Sequence, residues 1–152
     1  MNVDQLTEWL QNDPDFMKNV VRWETLPERP ARYAPFPASL DSRLQPVLAQ
    51  RGIYQLYTHQ AQSIEATSAG KDVVVVTPTA SGKTMCYNLP VLSAILRDED
   101  ARALYLFPTK ALSSDQVAEL YSMIQDMGAE IKAYTYDGDT PASARTAIRQ
   151  AG

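Results

Sequence analysis

The sequence predicts an α/β protein in which a parallel sheet is flanked by helices (residues 39–152), after a helical and extended N-terminal segment (residues 1–38). The first observation is the run of four valines at 73–76, because consecutive β-branched residues are typical of a strand buried on both faces. The second is the alternation of strand-like and helix-like segments, which produces parallel strands joined by right-handed crossovers. With 152 residues, 45% of them hydrophobic, the chain can bury a sizeable core.

The N-terminal segment begins with two predicted short helices. Apolar residues recur at helical spacing between Val3 and Leu10 and predict the first helix. Asp13 interrupts this pattern and supplies a cap for a second helix over 16–21. Four prolines between 24 and 37 exclude a further helix there. This stretch is therefore expected to be extended and to lie across a surface.

Two predicted helices open the second part of the chain. The first is expected to begin at Ser39 or Asp41 and to end at Arg51, before Gly52. Its apolar face consists of Leu40, Leu44, Val47 and Leu48. Thr58 is predicted to cap the next helix, because its hydroxyl can accept from a free amide of the first turn.

Three strand–loop–helix units follow. Their strands are predicted over 73–76, 103–107 and 131–136, and their helices over 85–96, from 109 to Gly128, and over 142–150. Parallel sheets bind ligands at the carboxyl ends of their strands. The loop 77–84 and the turn 137–141 are therefore the expected places for a ligand site.

The loop 77–84 has the residue types that bind a triphosphate. Several backbone amides must point into one concavity at the positive end of a helix, and small residues such as Ala80 and Ser81 allow this approach. Lys83 can reach the β- and γ-phosphates, and the Thr84 hydroxyl can bind Mg²⁺. The pattern is GxxxxGK[ST] with Thr77 in place of the first glycine. A strand–turn–helix corner with a solvated lysine is the alternative, but it does not explain this order of residues.

Composition limits the other possibilities. The formal net charge of −4 argues against a broadly basic nucleic-acid-binding surface, although a local track of phosphate contacts remains compatible with it. No apolar run reaches the roughly 20 residues of a membrane span, so no membrane partner is expected. The single cysteine, Cys86, and an N-terminus unlike a signal peptide predict a cytoplasmic protein.

Four motifs in order resemble those of superfamily-two helicases of the DEAD/DEAH type. Those helicases commonly have Ala or Thr where Thr77 stands. Two of the motifs concern the nucleotide: Leu56–Gln60 looks like the adenine-sensing motif, and 77–84 looks like motif I. The other two concern nucleic acid: Phe107–Leu112 with Gln116 looks like motif Ia, and Tyr136–Thr140 is similar to the next nucleic-acid-contacting motif. Their combination looks most like the mitomycin-repair-factor-A branch, which consists of DNA helicases with a C-terminal zinc-binding domain. The resemblance covers about residues 20–152.

The resemblance implies that residues 39–152 are the N-terminal portion of the first RecA-like ATP-binding domain of a DNA repair helicase. Gln60 would read adenine, with Tyr57 or Arg51 near the base. The implied nucleotide-binding residues are Gln60, Thr79, Ala80, Ser81, Gly82, Lys83 and Thr84, of which Lys83 and Thr84 would be catalytic and Thr84 would hold Mg²⁺. The implied contacts to the backbone of single-stranded DNA are Pro108, Thr109, Lys110, Gly138, Asp139 and Thr140.

Some of these residues also have simpler interpretations. Gln60 can be a solvated residue on a polar helix face, and Lys110 can be a helix-start residue without a partner. His59, the only histidine, is predicted to be structural because no nucleophile or metal-ligand companion accompanies it. Asp137 and Asp139 resemble an acidic metal or acid–base site, but Gly138 between them favours a turn. Cys86 is expected to be a small buried residue.

Hydrolysis needs a further carboxylate to hold Mg²⁺ and position water. In the resembled family this is an Asp-Glu pair on a later strand, but no acidic residue follows Thr140. A second RecA-like domain with its arginine finger, and zinc ligands, are also absent from the sequence. We therefore expect ATP binding without hydrolysis, with a C-terminal helicase portion missing. The alternatives are a non-catalytic or partner-completed ATP-binding module, and a small kinase, for which an acceptor site and an arginine-rich lid are not seen.

Overall fold

A computed structural model of the protein describes residues 2–27 and 30–151. It divides into two compact units, Met1–Pro30 and Ala31–Gly152. In chain order the elements are α1 (Val3–Asn12), α2 (Pro14–Met17), β1 (Tyr33–Ala34), α3 (Leu44–Gln50), β2 (Leu56–Tyr57), α4 (Thr58–Ser68), α5 (Thr84–Arg97), α6 (Lys110–Met127) and α7 (Ala142–Ala151).

The first unit contains α1 and α2, so two N-terminal helices form as predicted. The second, however, is Pro14–Met17 and not 16–21, because Asp13 caps a helix that begins directly after it. The Asn2 side chain accepts from the Gln5 amide at 2.9 Å, and the Gln5 side chain accepts from the Asn2 amide at 3.1 Å, so α1 begins with a capping box. Asp13 caps α2, as predicted. Neither helix has a buried residue, so local capping defines them. Of the predicted extended stretch, residues 28 and 29 lie outside the described part of the chain.

The core of the second unit lies between α3, α4, α5 and α6. All four residues of the predicted apolar face between 39 and 51 are buried. However, α3 begins at Leu44, later than predicted, because residues 37–44 first form turns in which Leu40 N–H donates to the Pro37 carbonyl. The core residues are Leu40, Leu44, Val47, Leu48, Leu56, Ala61, Ile64, Leu89, Leu92, Leu120, Met123 and Ile124.

Helix α5 contains an internal proline, Pro90, and a side chain of α4 supplies the hydrogen bond that this proline cannot donate. Pro90 has no N–H, so the carbonyl of Cys86, one turn earlier, loses its helical donor. The buried Ser63 hydroxyl of α4 donates to this carbonyl at 2.9 Å. The hydrogen bond therefore ties α4 to the middle of α5. Although α5 is largely apolar, none of the described helices is both long and apolar enough to cross a membrane.

The C-terminal end of α5 is held by an ion-pair cluster around Asp41. The Asp41 carboxylate, largely buried, accepts from the Arg43 guanidinium at 2.8 and 3.0 Å and lies 3.6 Å from Arg97. The Asp41 amide donates to the Ser93 hydroxyl of α5 at 3.1 Å. Hydrogen bonding to Arg43 lowers the pKa of Asp41 to about 2. This cluster fixes the turn before α3 against α5.

The predicted parallel sheet is not confirmed. Over residues 2–27 and 30–151 the only strand pairing is antiparallel, with Tyr33 opposite Tyr57 and Ala34 opposite Leu56. The segments 73–76, 103–107 and 131–136 are not paired as strands. Tyr105, Ile131 and Ala133 pack on the core, but the opposite side chains are exposed, 88% for Val74 and 85% for Leu104. Parallel strands depend on cover on both faces, and these segments have cover on one.

Candidate nucleotide and nucleic-acid sites

The loop between 76 and α5 has a backbone shape that concentrates amide groups. Ala80 and Gly82 have left-handed conformations, with φ of +59° and +71°. The amides of Ala80 and Gly82 have no backbone acceptor among the described residues. A Cβ atom on Gly82 would lie 2.6 Å from the Gln60 side-chain nitrogen, so this position requires glycine for space as well as for conformation. The loop can therefore offer amides to an anion at the start of α5.

The first turn of α4 holds this loop. The Gln60 Nε2 group donates to the Gly82 carbonyl at 2.9 Å, while its Oε1 accepts from the Tyr57 amide at 2.9 Å. His59 Nε2 lies 3.0 Å from the Ser81 carbonyl oxygen, which can only accept, so this ring nitrogen carries the proton. Gln60 is 3% exposed and is not the solvated residue of the simpler interpretation. Two neighbouring side chains thus fix two consecutive carbonyls of the loop.

Lys83 lies across its own loop. Its ammonium donates to the Thr77 and Pro78 carbonyls at 2.9 and 2.7 Å and lies 3.5 Å from the Ser81 hydroxyl. Thr84 follows as the first residue of α5. The charged group expected to bind phosphate is therefore centred on the loop, with the Mg²⁺-binding candidate hydroxyl next to it in the chain.

The two residues considered for the adenine base are in different surroundings. Tyr57 stacks between Tyr33 and His59, with ring centroids 5.2 and 5.7 Å away. Its ring also approaches the space beside Gly82. Arg51 donates to Asp126 and Ser122 of α6, both at 2.7 Å. The geometry favours Tyr57 over Arg51 as a neighbour of the nucleotide loop.

The residues predicted to contact nucleic acid come together from two separate parts of the sequence. Thr109 caps α6 by accepting from the Leu112 amide at 3.2 Å, and the exposed Pro108 precedes it. The Lys110 ammonium forms an ion pair with the Asp139 carboxylate, which raises the pKa of Lys110. It also lies 3.9 Å from the position of a Cβ atom on Gly138. Lys110 therefore has a partner, in contrast to its simpler interpretation.

Residues 136–140 form a turn, and the two aspartates in it have different roles. The Asp137 carboxylate accepts from the Asp139 amide at 2.8 Å and from the Thr140 hydroxyl at 3.3 Å. The Asp139 amide is the main cause of a lowered pKa of Asp137. Within the described ranges no three acidic, histidine or cysteine side chains are grouped to hold a metal. The prediction of a turn is therefore preferable to an acidic metal site.

The predicted site residues thus form two groups, one around the loop 77–84 with Gln60, the other around 108–110 and 138–140. Sequence reasoning missed the carbonyls that hold Lys83, and also Arg145, which contacts the turn 136–140. It missed Ser63 as well, although Pro90 inside a helical pattern indicated an unsatisfied carbonyl. Cys86 is buried as predicted, and burial raises the pKa of its thiol.

Comparison with known proteins agrees with this geometry. Residues 57–152 match the family model for DEAD/DEAH box helicases. Over all 152 residues the chain is 51% identical to the uncharacterized ATP-dependent helicase YprA of Bacillus subtilis, of which it covers 20%. It is 32% identical to the ATP-dependent helicase HRQ1 of Saccharomyces cerevisiae, with 97% of this chain and 14% of that protein covered. The chain spans at most about a fifth of the length of these relatives.

Solved structures show the same relationship. A crystal structure of the DUF1998 helicase MrfA bound to DNA and AMPPNP is similar with a TM-score of 0.87 and 47% identity, over 99% of this chain and 20% of that one. The RecA-like part of the fold prediction is supported by this likeness, and the predicted resemblance to the mitomycin-repair-factor-A branch is confirmed. The 152 residues therefore belong to the DEAD/DEAH box helicase family.

Proposed function

We propose that this chain binds Mg–ATP at the loop 77–84 and the backbone of single-stranded DNA at 108–110 and 138–140. It would do so as the N-terminal part of an ATP-dependent DNA helicase or translocase that acts in DNA repair. The observation that carries the proposal is the position of the Lys83 ammonium, which is centred on a loop rich in free amides at the start of α5.

The roles of the nucleotide residues follow from their contacts. Lys83 would exchange its carbonyl partners for the β- and γ-phosphates, and Thr84 would bind Mg²⁺. Gln60 would contact adenine while it holds Gly82, which links base recognition to the shape of the phosphate loop. The related helicase MrfA has been solved with AMPPNP, an ATP analogue, which supports ATP as the nucleotide.

The DNA contacts would be sequence-independent. Lys110 is a point charge, and Thr109 and Thr140 carry hydroxyl groups, all of which suit phosphate oxygens. Pro108 and Asp139 are exposed beside them. The related MrfA has been solved bound to DNA, which supports this partner. Such contacts fix a strand without reading its bases.

We further propose that the 152 residues bind ATP without hydrolysing it. No Asp or Glu follows Thr140, and Asp137 uses its carboxylate within its own turn. The carboxylate that holds Mg²⁺ and positions the attacking water would therefore come from outside these residues.

The test is a titration of the chain with a fluorescent ATP analogue and Mg²⁺, compared with Lys83→Ala. Saturable, Mg²⁺-dependent binding by the wild type and its loss in the variant are expected. Lys132→Ala is the matched control, because it removes the same charge from an exposed position outside the loop. Unchanged binding in Lys83→Ala would reject the assigned role of Lys83. Phosphate release above background by the wild-type chain would reject binding without hydrolysis.

A further inference from the structure

Arg145, in the first turns of α7, contacts nearly the whole turn 136–140. Its guanidinium donates to the carbonyls of Asp137 at 2.7 Å, Gly138 at 3.1 Å and Thr140 at 2.8 Å. Its central carbon lies 5.5 Å from the centre of the Tyr136 ring, within cation–π range. One partly buried side chain therefore fixes the direction of three of the carbonyls in this turn, those of Asp137, Gly138 and Thr140.

These contacts also set the direction of one amide. In a trans peptide the C=O and N–H bonds point in opposite directions, and no described peptide is cis. Since the Asp137 carbonyl faces Arg145, the Gly138 amide of the same peptide unit faces away from it. The other two peptide units offer no such donor, because the Asp139 amide is used by Asp137 and Pro141 has no N–H.

The Gly138 amide is close to a positive charge. The Lys110 ammonium lies 3.9 Å from the position of a Cβ atom on Gly138. The ammonium therefore lies beside the residue that carries this amide, and an amide and an ammonium on neighbouring groups can donate to oxygens of one phosphate. Arg145 also offsets the partial negative charge of three carbonyls that would otherwise repel a phosphate.

We propose that Arg145 is a positioning residue of the nucleic-acid backbone site, which orients the turn so that the Gly138 amide and Lys110 bind the same phosphate. This inference rests on the proposed function. Arg145 acts through the turn and does not itself contact DNA. The role needs a planar guanidinium with several donors, which a lysine does not provide.

The experiment measures the affinity of the 152-residue chain for a fluorescent oligo(dT) strand over a series of salt concentrations. Arg145→Ala is expected to weaken binding about tenfold, from the loss of charge-assisted hydrogen bonds that hold the turn. Arg145→Lys should weaken it almost as much, because the fork of donors is lost. The slope of log affinity against log salt should stay as in the wild type, since no phosphate contact of Arg145 itself is removed.

Arg149→Ala is the matched control, because Arg149 lies one turn further along α7 and contacts Arg145 but not the turn. Its affinity should stay within about twofold of the wild type. Binding of the ATP analogue, measured on every variant, should be unchanged. Tyr136→Leu removes the cation–π contact and keeps the hydrogen bonds of Arg145, so an intermediate loss of DNA affinity is expected.

The outcomes separate this inference from the proposed function. If the wild type binds oligo(dT) and Arg145→Lys binds equally well, the positioning role is wrong while the DNA site stands. A smaller salt slope in Arg145→Ala would make Arg145 a direct phosphate contact and would also overturn the inference. Loss of ATP-analogue binding in both Arg145 variants would reduce Arg145 to a general structural role. Failure of the wild type to bind oligo(dT) would reject the DNA-binding function itself.

Discussion

The loop 77–84 and the turn 136–140 both precede a helix, but different chemistry holds them in place. The main anchor of the loop on α4 is the uncharged amide of Gln60, which is 3% exposed. The turn is held by charged side chains, Arg145 and Lys110, and the Asp139 side chain that pairs with Lys110 is 84% exposed.

This difference predicts that the two segments respond differently to salt. Buried neutral hydrogen bonds are insensitive to salt, whereas exposed ion pairs are screened within about 10 Å at ordinary ionic strength. We therefore expect the loop to keep its shape across solution conditions and the turn to respond to them.

Gly82→Ala should damage the loop and leave the turn intact. The new Cβ would lie 2.6 Å from the Gln60 nitrogen, at a backbone φ of +71° that side chains disfavour. Together these effects cost about 2–3 kcal/mol, so ATP-analogue affinity should fall about 30-fold or more.

Gly138→Ala is the matched control for this change. It has no left-handed backbone, and its Cβ would meet Lys110 at an ordinary 3.9 Å. ATP-analogue affinity should therefore be unchanged, as measured in the same titration. Equal losses in the two glycine variants would contradict the assigned difference between loop and turn.

Asp41→Asn should lower the free energy of unfolding by about 1–3 kcal/mol, because it weakens charge-assisted hydrogen bonds to Arg43. These bonds belong to the cluster that holds α5, the helix that follows the loop. Urea unfolding at pH 7 measures this loss. Because the folded-state pKa of Asp41, about 2, is below its usual value of 3.8, its contribution is present above pH 4 and disappears as pH falls through 2.

A comparison of the acid unfolding of Asp41→Asn with that of the wild type tests the pH dependence assigned to Asp41. Asp41→Asn should show a smaller loss of stability than the wild type between pH 4 and pH 2, since it has no carboxylate to protonate there. Parallel acid profiles for the two proteins would show that Asp41 does not contribute in the expected direction.

Lys110→Ala should lower oligo(dT) affinity about three- to tenfold at low salt and reduce the salt slope by about 0.7, the value for one phosphate contact on a single strand. Asp139→Asn should raise oligo(dT) affinity, because it releases Lys110 from its ion pair.

The control for Lys110→Ala is Lys71→Ala, which makes the same change of charge at an exposed lysine before 73–76. Fluorescence anisotropy over a salt series distinguishes the three variants.

His59→Ala should have the smallest effect, a two- to fivefold loss of ATP-analogue affinity, since one neutral hydrogen bond contributes about 1 kcal/mol or less. Gln62→Ala on the exposed side of α4 is the control and should bind like the wild type. A His59 variant with full affinity would leave Gln60 as the only important anchor of the loop.

The sequence predicted best those features that local chemistry determines. Helix α6 has its cap at Thr109 and ends at Gly128 with φ of +61°, both as expected from residue type. The loop 77–84 also follows from its own residues. The strand pairing could not be predicted in this way, because it depends on what covers the second face of Val74 and Leu104.

The contacts that support the two sites could not be predicted from the sequence either, because they depend on how the helices pack. Pro90 indicates that the Cys86 carbonyl lacks a donor, but only the packing of α4 on α5 shows that Ser63 supplies it. Similarly, Arg145 is an ordinary helix residue in the sequence, and its role depends on how α7 folds back on the turn. Such contacts join residues that become neighbours only when the chain folds.

The self-contact of Lys83 has a consequence for how strongly a nucleotide can bind. An ammonium that already has the Thr77 and Pro78 carbonyls as partners enters a phosphate complex by exchange of ligands. The measured affinity is therefore a difference between two sets of partners, and weakening the internal set would tighten the complex. Lys83 would therefore hold a phosphate less tightly than an ammonium without internal partners.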